Sequence, residues 1–312
     1  MTENLTKAKT KHRKKPKLST VLALVILIGG VAALLYPTVT SYLNSVKQSN
    51  VLNSYESKIT TLNPSILKSE LQKAEDFNKN LRAGTITDPF GRPKNEEEKL
   101  QRSDAYQDYL GILNRDSVMG RIIIPNIDVD LPIYHGTDDH TLRKGIGHLF
   151  GTALPIGGPS THAVLTGHSA YPEATLFTNL TKMNTGDTFQ ISLYGELLTY
   201  KVDQIKTVTP EQTEDLRVIS GEDHVTLITC TPYAVNSHRL LVRGVRIENP
   251  AGQEATNLPK ATATVEIPWN VVAILTGGIV LFTGITLVVN KNNRKKRKHQ
   301  GSPGEHVQAP KS

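Results

Sequence analysis

One cysteine, Cys230, and one tryptophan stand among 312 residues, and aromatic residues make up only 5% of the chain. A lone thiol cannot close an internal bridge, so no disulfide framework holds this fold. No internal repeat is present. Positive charge is scarce away from the ends. The formal net charge is +7, yet residues 1–17 carry seven Lys and Arg against one Glu, and residues 291–312 carry the same. That leaves 22 cations against 27 anions between them, a net −5. A nucleic-acid groove gathers its cations on a folded face; these lie on two short tails, which excludes nucleic acid as a partner.

Charge of either sign is missing from residues 18–36 and from residues 269–289, two apolar runs of 19 and 21 residues next to the basic tails. About 20 apolar residues in a helix cross a bilayer, and Tyr36 and Trp269 stand where amphipathic rings favour the headgroup region. The first run is longer than the apolar region of a cleaved signal peptide, and no small-x-small site follows Pro37. The positive-inside rule keeps both tails cytoplasmic. The expected protein is therefore a two-pass membrane protein that touches lipid at both ends and displays residues 37–266 outside the cell.

The exported segment is long enough for one substantial domain with an accessory element. Residues 41–83 read as helix with a restart at Asn63-Pro64, N-cap and first helical position. Leu67, Leu71, Ala74 and Leu81 form a stripe at helical spacing, with Phe77 beside them. Residues 84–94 hold two glycines and two prolines and must be a loop. A further helix opens at Asn95 and carries Tyr106, Tyr109, Leu110 and Leu113. Seven short β-rich runs then occupy 121–125, 129–134, 163–166, 187–194, 197–208, 225–229 and 240–247, a pattern that predicts an antiparallel sandwich or barrel. Residues 249–266 are polar, rich in Pro, Ala and Thr, and read as a linker.

Cys230 ends the run Val225-Thr226-Leu227-Ile228-Thr229, just before Thr231-Pro232, so its thiol faces a loop. A thiolate nucleophile needs a proton partner and nearby positive charge. Of the ten histidines, His12, His299 and His306 lie in the tails. His168 shares the context of Cys230, a strand followed by a turn, whereas His162, His224 and His238 read as structural or exposed. Asp138-Asp139 reads as a solvated turn.

Three motifs make the chain recognisable. Thr226-Leu227-Ile228-Thr229-Cys230 resembles the TLxTC signature of the sortases, membrane-anchored cysteine transpeptidases of Gram-positive bacteria. Thr166-Gly167-His168-Ser169, through Leu176-Phe177, is similar to their histidine segment. The stretch from Thr231 through Arg239 to Gly244 looks like the part that carries their arginine. Asp88-Pro89-Phe90 and the second apolar run resemble the pilus-assembling class C, in which an Asp-Pro-aromatic lid covers the active site.

The resemblance implies a closed eight-stranded β-barrel over residues 118–248, with N-terminal helices and a lid loop (84–94) in residues 37–117. Flanking these would be tails 1–17 and 291–312, spans 18–36 and 267–290, and the linker. It implies Cys230 as nucleophile on the Thr–Gly bond of an LPXTG-like signal, His168 as proton donor to the leaving amine and Arg239 on the substrate or oxyanion. It also implies a pilin lysine as acceptor, with neither metal nor cofactor. Asp88 would pair with Arg239 while Phe90 covers Cys230, Gly84 and Gly91 acting as hinges. With ordinary pKa values, thiolate and imidazolium coexist at pH 7 in on the order of 1% of molecules. Arg239 would lower the thiol pKa, and desolvation under a lid would raise it.

Three other functions share parts of this pattern. A housekeeping sortase would hand its acyl group to a cell-wall precursor. An exported thiol protease would hydrolyse the same intermediate. A non-enzymatic surface protein would itself carry a sorting signal, but Leu258-Pro259-Lys260-Ala261-Thr262 departs from Leu-Pro-x-Thr-Gly at its last two positions.

Overall fold

The structure, a computed structural model, describes residues 18–81, 86–263 and 269–299. The basic tail 1–17, Gly84 of the lid loop, the end of the linker and all of the residues beyond 299 lie outside the described residues. The chain divides into two units, Pro37–Val265 on the one hand and the two terminal stretches on the other.

Helix α1 (Leu18–Thr61) runs without a break through Pro37. Its first half exposes Leu22, Val25, Ile26 and Ile28, whereas Leu52, Tyr55 and Ile59 near its end are buried. Among the described residues, one helix is long and apolar enough to cross a membrane, over Val25–Thr61. The second apolar run is helical as part of α6 (Trp269–His299), with a shorter apolar stretch at Val271–Gly284.

Asn63 caps α2 (Pro64–Asn80), its side chain accepting from the Ser65 N–H at 2.9 Å. The acidic helix expected from Asn95 to Leu113 is two helices, α3 (Lys94–Gln101) and α4 (Asp104–Leu110). Ser103 starts the second by accepting from Tyr106 N, a cap that the apolar spacing alone concealed. Leu113 falls beyond α4, with φ +52°.

Eight strands follow: β1 (Gly120–Ile124), β2 (Val129–His135), β3 (Ile146–His148), β4 (Thr161–Thr166), β5 (Thr188–Leu193), β6 (Glu196–Val208), β7 (Asp223–Thr231) and β8 (His238–Ile247). They close a barrel in the order β1-β2-β3-β4-β7-β8-β6-β5. The strand absent from the sequence reading is β3, three residues long and too short to show a period. Nor is the barrel wholly antiparallel: β2 with β3, and β4 with β7, run parallel. Parallel neighbours need a crossover. Helix α5 (Asp139–Lys144) lies within the β2–β3 connection, and Asp138, read as a solvated turn, is its N-cap.

Residues 249–263 are no loose linker. Asn249 accepts from Thr199 and donates to Leu197 O, and Gln253 accepts from Gln190. Asn53 of α1 bonds both the N–H and the carbonyl of Ala261, at 3.0 and 2.9 Å. Arg121, 2% exposed, binds Asp130 twice and also the carbonyl of Pro259. Backbone groups that find partners on the barrel make a polar sequence dock without a hydrophobic stripe.

Candidate active site

Strands β4, β7 and β8 lie side by side. β4 and β7 are in register from Thr161 opposite Asp223 to Thr166 opposite Ile228. On the other side of β7, Arg239 stands opposite Cys230 and Leu241 opposite Ile228. Paired residues share a face and alternate along a strand. Val225 and Leu227 thus enter the barrel core, while Ile228, Val164 and Leu241 form a second apolar cluster with Leu149 and Leu216. Cys230 and Arg239 stand on that second face, at the edge of its apolar floor.

His168 reaches the same place by a sharp turn after β4. Gly167 donates to Ile228 O at 3.0 Å, and the carbonyl of His168 accepts from Phe177 N at 3.0 Å. A Cβ on Gly167 would lie 2.7 Å from both Ile146 Cδ1 and Phe177 Cδ2, so the turn closes only around glycine. The His168 ring stacks on Tyr171, with centroids 5.7 Å apart.

The segment around Asp88 covers this floor. Ile86 and Phe90 pack on the second cluster. Arg239 donates from Nε to Asp88 Oδ1 at 2.7 Å and from Nη2 to Oδ2 at 2.8 Å, and its Nη1 donates to the carbonyls of Asn236 and His238. This is a bidentate, charge-assisted pair, with both side chains about nine-tenths buried. The Phe90 ring centroid lies 5.2 Å from the Arg239 guanidinium carbon and 5.6 Å from the His168 ring. Phe90 therefore lies against the Arg239 and His168 side chains at once. Gly91 leaves room for the arrangement, since a Cβ there would sit 2.8 Å from Asp88 Oδ2. Arg92 ties the lid's base to Thr87 and to Glu97 of α3.

Burial pushes the Cys230 thiol up; Arg239 opposes the shift and Asp88 adds to it. Burial likewise pushes His168 down, with Asp139 pulling the other way and Arg143 adding to the fall. The hydrogen-bonded Asp88 carboxylate raises Arg239 further. Beneath the Asp88–Phe90 segment desolvation outweighs Arg239, which shifts both groups toward thiol and neutral imidazole. The thiolate–imidazolium pair falls below the on the order of 1% set by ordinary pKa values.

The other histidines lie elsewhere. His162 is buried between Arg217 O and Thr226 Oγ1, at 2.9 and 2.7 Å. His224 is its buried neighbour, ring centroids 5.6 Å apart. His238 meets Ser237 beside the cleft. Ser169 and Thr229, which the sequence reading passed over, link the two sides of the site. Both belonged to the quoted motifs, but nothing in their spacing gave them a partner.

A family model described as the sortase domain matches residues 122–247. Sortase C-1 of Actinomyces oris is 51% identical, with a TM-score of 0.55 over 59% of this chain and 99% of that one. A Streptococcus pneumoniae sortase C, whose structure bears on pilin substrate specificity, is 38% identical with a TM-score of 0.59 over 65% of this chain and all of that one. Sortase A of Bacillus anthracis is 27% identical over 47% of this chain and 68% of its own length. The chain spans between 47% and 68% of the curated relatives it matches. Barrel, cysteine strand and these likenesses agree, and the chain belongs to the sortase family of cysteine transpeptidases.

Proposed function

We propose that this protein polymerises pilin subunits. The observation that carries the reading is the pairing of Cys230 with Arg239 across β7 and β8, beside His168 and beneath the Asp88–Phe90 lid. When the lid lifts, Arg239 loses its carboxylate partner and becomes available to an incoming carbonyl. His168 takes the thiol proton as Cys230 Sγ attacks the Thr carbonyl carbon of an LPXTG-like signal, and the Arg239 fork stabilises the oxyanion. The intermediate collapses as the C–N bond breaks, His168 giving its proton to the leaving glycine amine. A lysine amine of a second pilin then attacks the thioacyl carbon, the C–S bond breaks, the amine's proton passes by way of His168 to the leaving thiolate, and an isopeptide bond joins the subunits. Pilin as substrate follows the Streptococcus pneumoniae relative.

The topology proposed is two-pass, with residues 18–36 and 267–290 spanning, residues 37–266 outside and both basic tails cytoplasmic. The apolar stretch in α6 supports it, as does the tie between Ala261 and α1, which leads the chain back to the helix that carries the first span.

Incubating the full-length protein with a pilin bearing both signal and lysine tests the reading. Covalent ladders on a denaturing gel, absent with Cys230→Ala, are the expected result. Cleavage without ladders would assign a protease, and transfer only to cell-wall precursor would assign a housekeeping sortase.

A further inference from the structure

The two residues that flank His168 are each tied to the strand that carries Cys230. Before it, the Gly167 carbonyl accepts from Thr229 Oγ1 at 2.7 Å. After it, Ser169 Oγ donates to the carbonyl of Cys230 itself at 2.6 Å. Both Ser169 and Thr229 are buried, and 2.6 Å lies at the short, strong end for a hydroxyl donor.

The second bond has a specific origin. β4 and β7 form a parallel ladder whose last backbone rung is Gly167 N–H on Ile228 O. Two residues further along each strand, the next bond donated from the β4 side would run from the residue 169 N–H to the carbonyl of Cys230. The turn at His168 ends β4 at Thr166 while β7 continues to Thr231. A carbonyl left in that position must find another donor, and the Ser169 hydroxyl supplies it.

We infer that Ser169 is a positioning residue for the acyl transfer proposed above. Its hydroxyl completes the interrupted ladder at Cys230, and so holds the Cys230 backbone at a set separation from the turn that carries His168. The bond leaves the thiol and the imidazole untouched; it fixes the peptide plane from which the Cys230 side chain projects. A displacement of about 1 Å between reacting groups costs on the order of 100-fold in rate, so one hydrogen bond at this point controls turnover without contacting substrate. The inference rests on the reading of Cys230 as nucleophile.

Steady-state cleavage of an LPXTG-like peptide by the full-length protein tests it, with every variant carrying Asp88→Ala so that lid opening is not limiting. Ser169→Ala is expected to lower kcat by about 10- to 100-fold with KM within about twofold, and Ser169→Thr to restore kcat to within a few-fold. Ser169→Thr and Ser169→Val have nearly the same shape and differ in the hydroxyl, so they carry the test if Ser169→Ala does not fold. Active Thr and impaired Val at the same unfolding temperature support the inference. Equal kcat in Thr and Val, or a loss that follows unfolding temperature in both, overturns it. Cys230→Ala separates the two levels: turnover surviving in that variant would refute the nucleophile itself, whatever Ser169 does.

Discussion

Asp88 takes both of the forked hydrogen bonds that Arg239 would offer to a substrate, at 2.7 and 2.8 Å. The Asp88–Phe90 segment thus covers Arg239 both electrostatically and sterically: Phe90 lies against the His168 and Arg239 side chains while the carboxylate neutralises the guanidinium. Removing Asp88 deprives the closed state of a charge-assisted pair worth ~2 kcal/mol, or about a 30-fold shift in lid population. Asp88→Ala is therefore expected to speed alkylation of Cys230 by roughly that factor. Stopped reactions with a small thiol reagent, quantified by mass spectrometry, measure it. Equal rates in Asp88→Ala, Phe90→Ala and wild type would count against occlusion.

The pH dependence of that alkylation is a separate prediction. Burial raises the Cys230 thiol and Asp88 adds to the rise, with Arg239 opposing both. In Asp88→Ala the raising carboxylate is gone and burial alone opposes the guanidinium. The midpoint of the alkylation profile in the wild type is expected above the ordinary thiol value of about 8.5, and the variant's midpoint below that of the wild type. A profile that does not move would mean that the carboxylate leaves the thiol's ionisation unaffected.

Acid is expected to unfold the barrel through histidines remote from the cleft. His135 is held down at about 4, His148 at about 3 and His162 at about 4, in each case chiefly by burial. All three are neutral in the folded chain and take up protons on unfolding once pH drops below 6.5. The histidine contribution to stability is then flat above pH 7 and falls between about 6.5 and 4 by up to ~1.4 kcal/mol per pH unit for each histidine. Urea midpoints of the detergent-solubilised protein at pH 7.5, 6 and 5 measure the slope. His148→Gln, which keeps polar atoms for Tyr109 and Ala153, is expected to flatten it by at most about one third, since His168 and His224 are pushed down by burial as well.

Seven of the eight strands showed as β-rich runs of at least four residues divided by turn residues, and β3 escaped because it is only three residues long. The division of the helix at Ser103 depends on one side-chain oxygen, which hydropathy does not weigh. In the site, strand-then-turn contexts singled out Cys230 and His168, but their placement on one face needs the β4–β7 register, a contact between residues about 60 apart. Ser169 was invisible for the same reason. Its partner is a backbone carbonyl, and every residue has one.

The docked segment 249–263 was also unreadable from composition, and it leads to a last prediction. Arg121 is buried with two carboxylates, Asp130 at 2.7 and 2.8 Å and Glu56 of α1 at 3.7 Å, and with the carbonyl of Pro259 at 3.0 Å. Burial raises Glu56, and Arg121 is the leading influence that restrains the rise. Arg121→Ala strands these acceptors and is expected to cost about 3–5 kcal/mol. Asn53→Ala removes only the two backbone bonds to Ala261 and is expected to cost the docking of that segment, not the barrel, about 1–3 kcal/mol. The variants therefore differ in kind. Asn53→Ala frees the segment while the barrel stays folded, so limited proteolysis is expected to cut near residue 260 at a urea midpoint only slightly reduced. Arg121→Ala unties α1, β1 and β2 together, so cleavage there appears only as the whole unit unfolds. Cleavage in both variants that follows the global midpoint would show the segment to be an integral part of the barrel's cooperative unit, whereas early cleavage in Asn53→Ala alone identifies a separately releasable strap between α1 and the second apolar helix.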